Sequence, residues 1–262
     1  MQPDRPLLLL YGLLLALVIT CAPATAQAQG RIETGGLYHR YTGGFGPWYG
    51  AYVSGQYRFK TGTTVRAHYF WQERYGDTGI SYQADVTHDV SPRLYARGIV
   101  HTSSGGFFIP RIQTEAQIAA KWGDRNQFVT QAALGYIDAK DYHRDVTYAT
   151  EAVYYFENGW VAQATVRWNH SMPEAQLSRY HYAAVSRLAP KRYELTLRGA
   201  FGNEAYALVG PVTLFQNYES WSVGASYRHW LSSRWGMQLT LDHYRNPFFL
   251  HQGAQAGLFI DL

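Results

Sequence analysis

The stretch Arg111–Tyr136, RIQTEAQIAAKWGDRNQFVTQAALGY, decides the fold. From Ile112 onward, apolar or small side chains take every second position (Ile112, Thr114, Ala116, Ile118, Ala120, Trp122), with Gln113, Glu115, Gln117 and Lys121 between them. Successive side chains of a strand point to opposite faces, so this is a strand with one apolar and one polar face. Gly123-Asp124-Arg125-Asn126 reads as a turn, and Phe128, Thr130, Ala132, Leu134 and Tyr136 repeat the pattern on the way back. Arms of about ten residues suit a tilted strand crossing a bilayer. A soluble two-layer sheet shows the same alternation, so recurrence along the chain separates the two.

It recurs throughout. Outward-type faces include Tyr49, Ala51, Val53, Tyr57 and Phe59; Val65, Ala67, Tyr69 and Trp71; Trp160, Ala162, Ala164, Val166 and Trp168; and Trp235, Met237, Leu239 and Leu241. None carries Lys, Arg, Asp or Glu through its middle, where a charge facing lipid would cost about 2 to 4 kcal/mol. The chain holds 22 Tyr, 12 Phe and 8 Trp. They gather at strand ends, as the two aromatic girdles of a membrane barrel require, whereas a soluble sandwich would place them at strand centres.

Short turns at Lys60–Gly62, Ser91–Arg93, Gly123–Asn126, Asn158–Gly159, Ala189–Lys191 and Leu231–Arg234 alternate with longer loops at Gly43–Pro47, Tyr75–Thr78, Ser103–Pro110, Asp138–Asp145, Ser171–Gln176, Gly202–Gln216 and Asn246–His251. This predicts an all-β, antiparallel, up-and-down transmembrane barrel of fourteen strands, or of twelve if Gly202–Gln216 conceals a different pairing. The long loop Gly202–Gln216 is the candidate plug.

Residues 1–28 read as a secretory signal, with Arg5 before an apolar run from Leu7 to Thr20 and small-residue cleavage sites after Ala26 or Ala28. Residues 29–262 then form the barrel domain. The single cysteine, Cys21, precedes both sites, so neither a disulfide framework nor thiol chemistry is expected. A formal net charge of +4 without a Lys/Arg-rich run gives no case for nucleic acid.

The final strand, Ala254–Leu262, resembles the signal read by barrel-assembly machinery, with Leu262 in place of the usual terminal aromatic. Expected partners are therefore outer-membrane lipids, the assembly machinery during insertion, and a saccharide or exopolysaccharide.

The runs Tyr82-Gln83-Ala84-Asp85 to Leu94-Tyr95-Ala96, Phe108-Ile109-Pro110-Arg111 with Glu115, Leu134-Gly135-Tyr136 and Val146-Thr147-Tyr148 resemble the YaiO family of outer-membrane barrels. The resemblance implies an outer-membrane location and, through the setting of some members, a link to exopolysaccharide export.

Inward positions carry the remaining chemistry. Arg58, Arg66, Arg74, Arg97, Lys121, Arg167, Arg179, Arg187, Arg192, Arg198 and Arg228 are read as facing Asp85, Asp89, Glu115, Glu151, Glu157, Glu194, Asp242 and Asp261 across the interior. Fourteen strands at ~4.8 Å spacing enclose a cylinder roughly 28 Å across, leaving about 10 to 15 Å between side chains. The candidate saccharide-lining residues are Trp48, Tyr52, Arg66, Phe70, Tyr95, Arg97, Glu115, Glu151, Tyr155, Arg167 and Tyr244, combining aromatic faces for sugar rings with polar groups for hydroxyls.

No metal, phosphate or dinucleotide motif is present, so no cofactor is expected. The barrel reads as non-enzymatic. The alternative is a lipid esterase or deacylase in which His101 would activate Ser103. A sealed structural barrel is the other.

Overall fold

The computed structural model describes residues 30–210 and 213–262; the proposed signal segment lies outside them. Fourteen strands follow in order: β1 (Gly30–Tyr41), β2 (Pro47–Arg58), β3 (Thr63–Arg74), β4 (Asp77–Ser91), β5 (Leu94–Gly105), β6 (Ile112–Trp122), β7 (Phe128–Asp138), β8 (Arg144–Tyr155), β9 (Trp160–Met172), β10 (Gln176–Ala189), β11 (Tyr193–Gly210), β12 (Thr213–Trp230), β13 (Trp235–Arg245) and β14 (Leu250–Asp261). Each pairs antiparallel with its sequence neighbours, and β1 pairs with β14 from Arg31↔Asp261 to Tyr41↔His251, closing the barrel. Closure leaves no unpaired edge, which the hydrocarbon interior of a bilayer demands.

Alternation sets which side chains face lipid. Ile118 is 60% exposed while its neighbour Ala119, turned inward, is 1% exposed. Leu134, Val185, Leu197, Val223 and Leu258 likewise stand exposed on the outer wall. In a soluble protein such a surface would be untenable; against acyl chains it is what burial means.

Two expectations need correcting. The connections on the two rims differ little in length: the β3–β4 connection is only Tyr75 and Gly76, both with positive φ, where a longer loop was expected. Gly202–Gln216 is not a loop either. The β11–β12 ladder runs on through Glu204↔Tyr218 and Tyr206↔Gln216 to Leu208↔Leu214. Beyond the aromatic pair Phe201 and Trp221 the hairpin has left the lipid and needs no apolar outer face, so alternation fades while the backbone pairing persists. A continuous ladder there also removes the twelve-stranded alternative.

This hairpin leans into the barrel mouth. Tyr206 contacts His143 of the β7–β8 connection (ring centroids 4.3 Å) and donates its hydroxyl to Glu174 between β9 and β10. The next residue, Ala207, packs against the cluster of Tyr41 and Phe249 near the β1–β14 seam. Bacterial barrels keep short turns in the periplasm and longer extensions outside, and on that rule the hairpin is extracellular.

A third correction concerns charge. Arg179 and Arg187 face outward, because β10 turns Ser178, Tyr180, Tyr182, Ala184 and Ser186 to the interior. They sit at the two ends of the lipid band, where a long side chain reaches the headgroup region. The Arg187 guanidinium lies 5.7 Å from the Trp160 ring centre. Glu157 and Arg192 lie in rim turns rather than on the inner wall, Glu157 pairing with Arg125 in solvent.

Candidate functional site

The inner face of β3 presents Arg66, His68, Phe70, Gln72 and Arg74, every second residue from one rim to the other. At 3.2 to 3.4 Å per residue this ladder is about 26 Å long. Two cavities lie along it. The one nearer the turn rim, about 390 Å³, is lined by Tyr52, Ser54, Gln56, Arg66, His68, Gln238, Gln255 and the charged trio Arg31, Glu33 and Arg228. The one nearer the mouth, about 300 Å³, is lined by Trp48, His68, Phe70, Gln72, Arg74, Ser81, Gln83, His101, Phe108, Ile109 and Pro110. His68 lines both, so the two lie in succession as a track along the inner face of β3.

Small residues shape the track. Tyr52 lies flat beside His68, with centroids 5.7 Å apart and planes 8° apart, and its hydroxyl accepts a hydrogen bond from Gln238 at 2.5 Å. That reach crosses the β1–β14 seam over Gly35 and Gly257, where an added Cβ would stand 2.6 and 2.5 Å from the Tyr52 oxygen. Gly50 makes the same room for the Phe70 ring.

The roof over the mouth cavity is the connection between β5 and β6. Ile109 turns inward and is buried, Phe107 N–H donates to Asp77 at 2.9 Å, and Lys140 donates to the Gly105 and Gly106 carbonyls. Beside it, the Arg74 guanidinium lies 5.1 Å from the Tyr41 and Trp48 rings and 4.4 Å from Tyr75. Three buried polar atoms on this cavity, Trp48 Nε1, Arg74 Nε and His101 Nδ1, have no hydrogen-bond partner among the described residues. Six further buried side-chain atoms of the described residues, among them Asn169 Oδ1, Ser220 Oγ and Arg228 Nε, share that condition elsewhere in the barrel, so it does not single out this cavity.

Elsewhere on the inner wall most charged side chains are engaged with their neighbours. Arg167 on β9 donates to Glu115 on β6 at 2.7 Å, reaching across β7 and β8. Glu151 accepts from Gln131, Gln163 and Thr165 at 2.7 to 2.8 Å, and Tyr95 donates to Gln131. Arg97 forks onto Asp85, and Arg198 bonds Asp242 and Ser226. At the turn rim Asp261, 4% exposed, gathers Arg31 at 2.6 Å, Trp230 at 2.9 Å and Lys191. Arg228 joins Glu33 and Glu194.

All eleven sequence-derived candidates occupy inward positions, but the structure sorts them. Trp48, Phe70, Tyr52 and Arg66 line the track. Glu115, Arg167, Glu151, Tyr95 and Arg97 belong to the self-paired network. Tyr244 bonds Glu204 at the mouth, and Tyr155 stands exposed at the turn rim. His68, Gln72, Ser81, Gln83, Gln238 and Gln255 are additional track residues; counting by twos between Arg66 and Arg74 would have found the first two.

The pair His101 and Ser103 faces inward, not toward lipid. Ser103 Oγ donates to the Pro110 carbonyl at 2.7 Å, while His101 Nδ1 is unpartnered. No group of three or more His, Cys, Asp or Glu gathers among the described residues as a metal site.

Closed fold and apolar outer wall together define an outer-membrane β-barrel. The model of the YaiO membrane β-barrel domain matches residues 29–207, and the chain belongs to that family. No curated protein matches it in sequence. Among solved structures it is similar to the translocator domain of the autotransporter NalP from Neisseria meningitidis (11% identity, TM-score 0.54, covering 97% of this chain and 95% of that one). It is also similar to the CymD monoaromatic hydrocarbon channel (6%, 0.61, 90% and 89%) and to a bacterial polysaccharide outer-membrane secretin (8%, 0.54, 91% and 100%). At such identities the likeness is one of fold.

Proposed function

We propose that this barrel serves the passage or docking of a saccharide chain at the outer membrane, in a surface or exopolysaccharide-export role. The observation that carries the reading is the track along β3, where aromatic faces (Trp48, Tyr52, Phe70, Phe108) alternate with amides and hydroxyls (Gln56, Gln72, Gln83, Ser54, Ser81). Sugar rings offer just these two surfaces, apolar C–H faces and a rim of hydroxyls. The polysaccharide secretin among the similar folds supports the same direction.

The barrel acts without chemistry in this reading. The Ser103 hydroxyl is engaged by a backbone carbonyl, and neither it nor His101 meets the lipid that an outer-membrane esterase would have to reach.

Single-channel recording of the refolded chain in planar bilayers tests the proposal. Ion conductance is expected, with blockade when an oligosaccharide is added and no ester hydrolysis in mixed micelles. A silent barrel, or one indifferent to every saccharide, would overturn it; hydrolysis lost in Ser103→Ala would transfer the case to the enzyme.

A further inference from the structure

The track's charges select among saccharides. Its mouth cavity has Arg74 as its charged side chain and, among the described residues, no carboxylate. The lower cavity sets three arginines against one glutamate, and that glutamate, Glu33, is held by Arg228 at 2.6 Å with Arg31 at 3.8 Å. Two arginines of the ladder are left without an acidic partner among the described residues. Arg66 reaches only the amide oxygen of Gln56, because Asp85, its neighbour across the β3–β4 ladder, is forked by Arg97 from the other side. Arg74 touches the Tyr75 hydroxyl and three aromatic rings; its ladder neighbour Asp77 is engaged by the backbone N–H groups of Thr78 and Phe107. The inward arginines Arg31, Arg97, Arg167, Arg198 and Arg228 each have a carboxylate partner.

Unpaired guanidiniums facing a water-accessible cavity want an anion, and guanidinium binds a carboxylate through two parallel N–H···O bonds. We propose that the track is selective for an acidic saccharide, a chain whose sugars carry carboxylates. One end is captured at Arg74 beneath the Phe108–Pro110 roof, and the chain is guided along His68 and Phe70 to Arg66. The inference rests on the passage reading and specifies its substrate class. Trp48 and Phe70 supply the ring faces.

The test compares two probes of equal length on the same refolded barrel: a neutral glucose oligomer and a uronic-acid oligomer, each titrated against single-channel current. The uronate is expected to block at concentrations at least tenfold lower, with the advantage shrinking as salt rises, because screening weakens exposed charge pairs. In Arg66→Gln/Arg74→Gln the advantage is expected to vanish, while single-channel conductance without any saccharide certifies a folded, open barrel. Should the mouth packing fail in the double variant, Arg66→Gln alone, whose side chain bonds only Gln56, carries the same comparison. Equal blockade by both probes in the unsubstituted barrel would overturn the charge selection and leave the passage reading standing. Conductance that neither probe blocks would sink both.

Discussion

Two arcs of the same inner wall follow opposite rules. Over most of the wall inward arginines find carboxylates, some across intervening strands as Arg167 and Glu115 do, some on adjacent strands as Arg97 and Asp85 do. Along β3 the wall keeps His68, Phe70 and Gln72 between Arg66 and Arg74, two cations without acidic partners among the described residues. A matched pair braces a wall and has nothing left to offer a guest. An unmatched donor costs stability in the empty barrel and is repaid only by a ligand. The difference therefore separates structural from binding residues, although both are polar and both face inward.

Substitutions that exchange the two behaviours would break the comparison. The largest effect is expected for Asp261→Ala, which strands Arg31, Trp230 Nε1 and Lys191 around a site 4% exposed. Loss of one partner from a buried pair costs about 3 to 5 kcal/mol, read as a lower urea midpoint in lipid vesicles; an unchanged midpoint would mean the network is ornamental.

A paired comparison comes next. Glu115→Gln should cost about 1 to 2 kcal/mol, discounted because Arg167 is 37% exposed. Gln83→Ala on the track should leave stability nearly unaltered and instead raise the concentration of saccharide needed for blockade. If both lose stability alike, the two arcs are not different in kind.

The smallest effect is expected at the mouth. Tyr206→Phe removes one hydrogen bond to Glu174, worth about 0.5 to 1.5 kcal/mol at most, and should show as more frequent conductance transitions rather than as unfolding. The Glu174 carboxylate, by accepting that bond, pushes the Tyr206 hydroxyl up to about 12. Because the folded value lies above the unfolded one, this contribution is complete below the ordinary tyrosine range near pH 10 and disappears as pH climbs through about 12. Gating by this latch should thus be level across neutral pH, and a transition near pH 7 would assign it to another group.

The sequence made the membrane face legible because lipid enforces one rule on every strand, and Tyr49 through Leu241 obey it. The inner face was legible as a face but not as pairs. Nothing in the order of residues says that Glu115 meets Arg167 three strands away, or that Arg97 takes Asp85 and leaves Arg66 without an acidic partner. β10 misled because its outward face carries Arg179, His181 and Arg187 while its inward face carries Tyr180 and Tyr182, so polarity alone reads its phase reversed. The β11–β12 extension misled because outside the bilayer the alternation that betrays a strand is no longer required.

Asp261 has one more consequence, for how such a barrel comes into being. Its carboxylate lies in the last strand, yet its partners come from the first strand, from the turn before β11 and from the end of β12. A sheet zipped from β11 to β14 already brings Lys191 and Trp230 to that carboxylate, whereas Arg31 reaches it only across the seam. Joining β14 to β1 is then the event that completes the set. The seam should accordingly form late and in one cooperative step, with few half-closed species persisting in the bilayer.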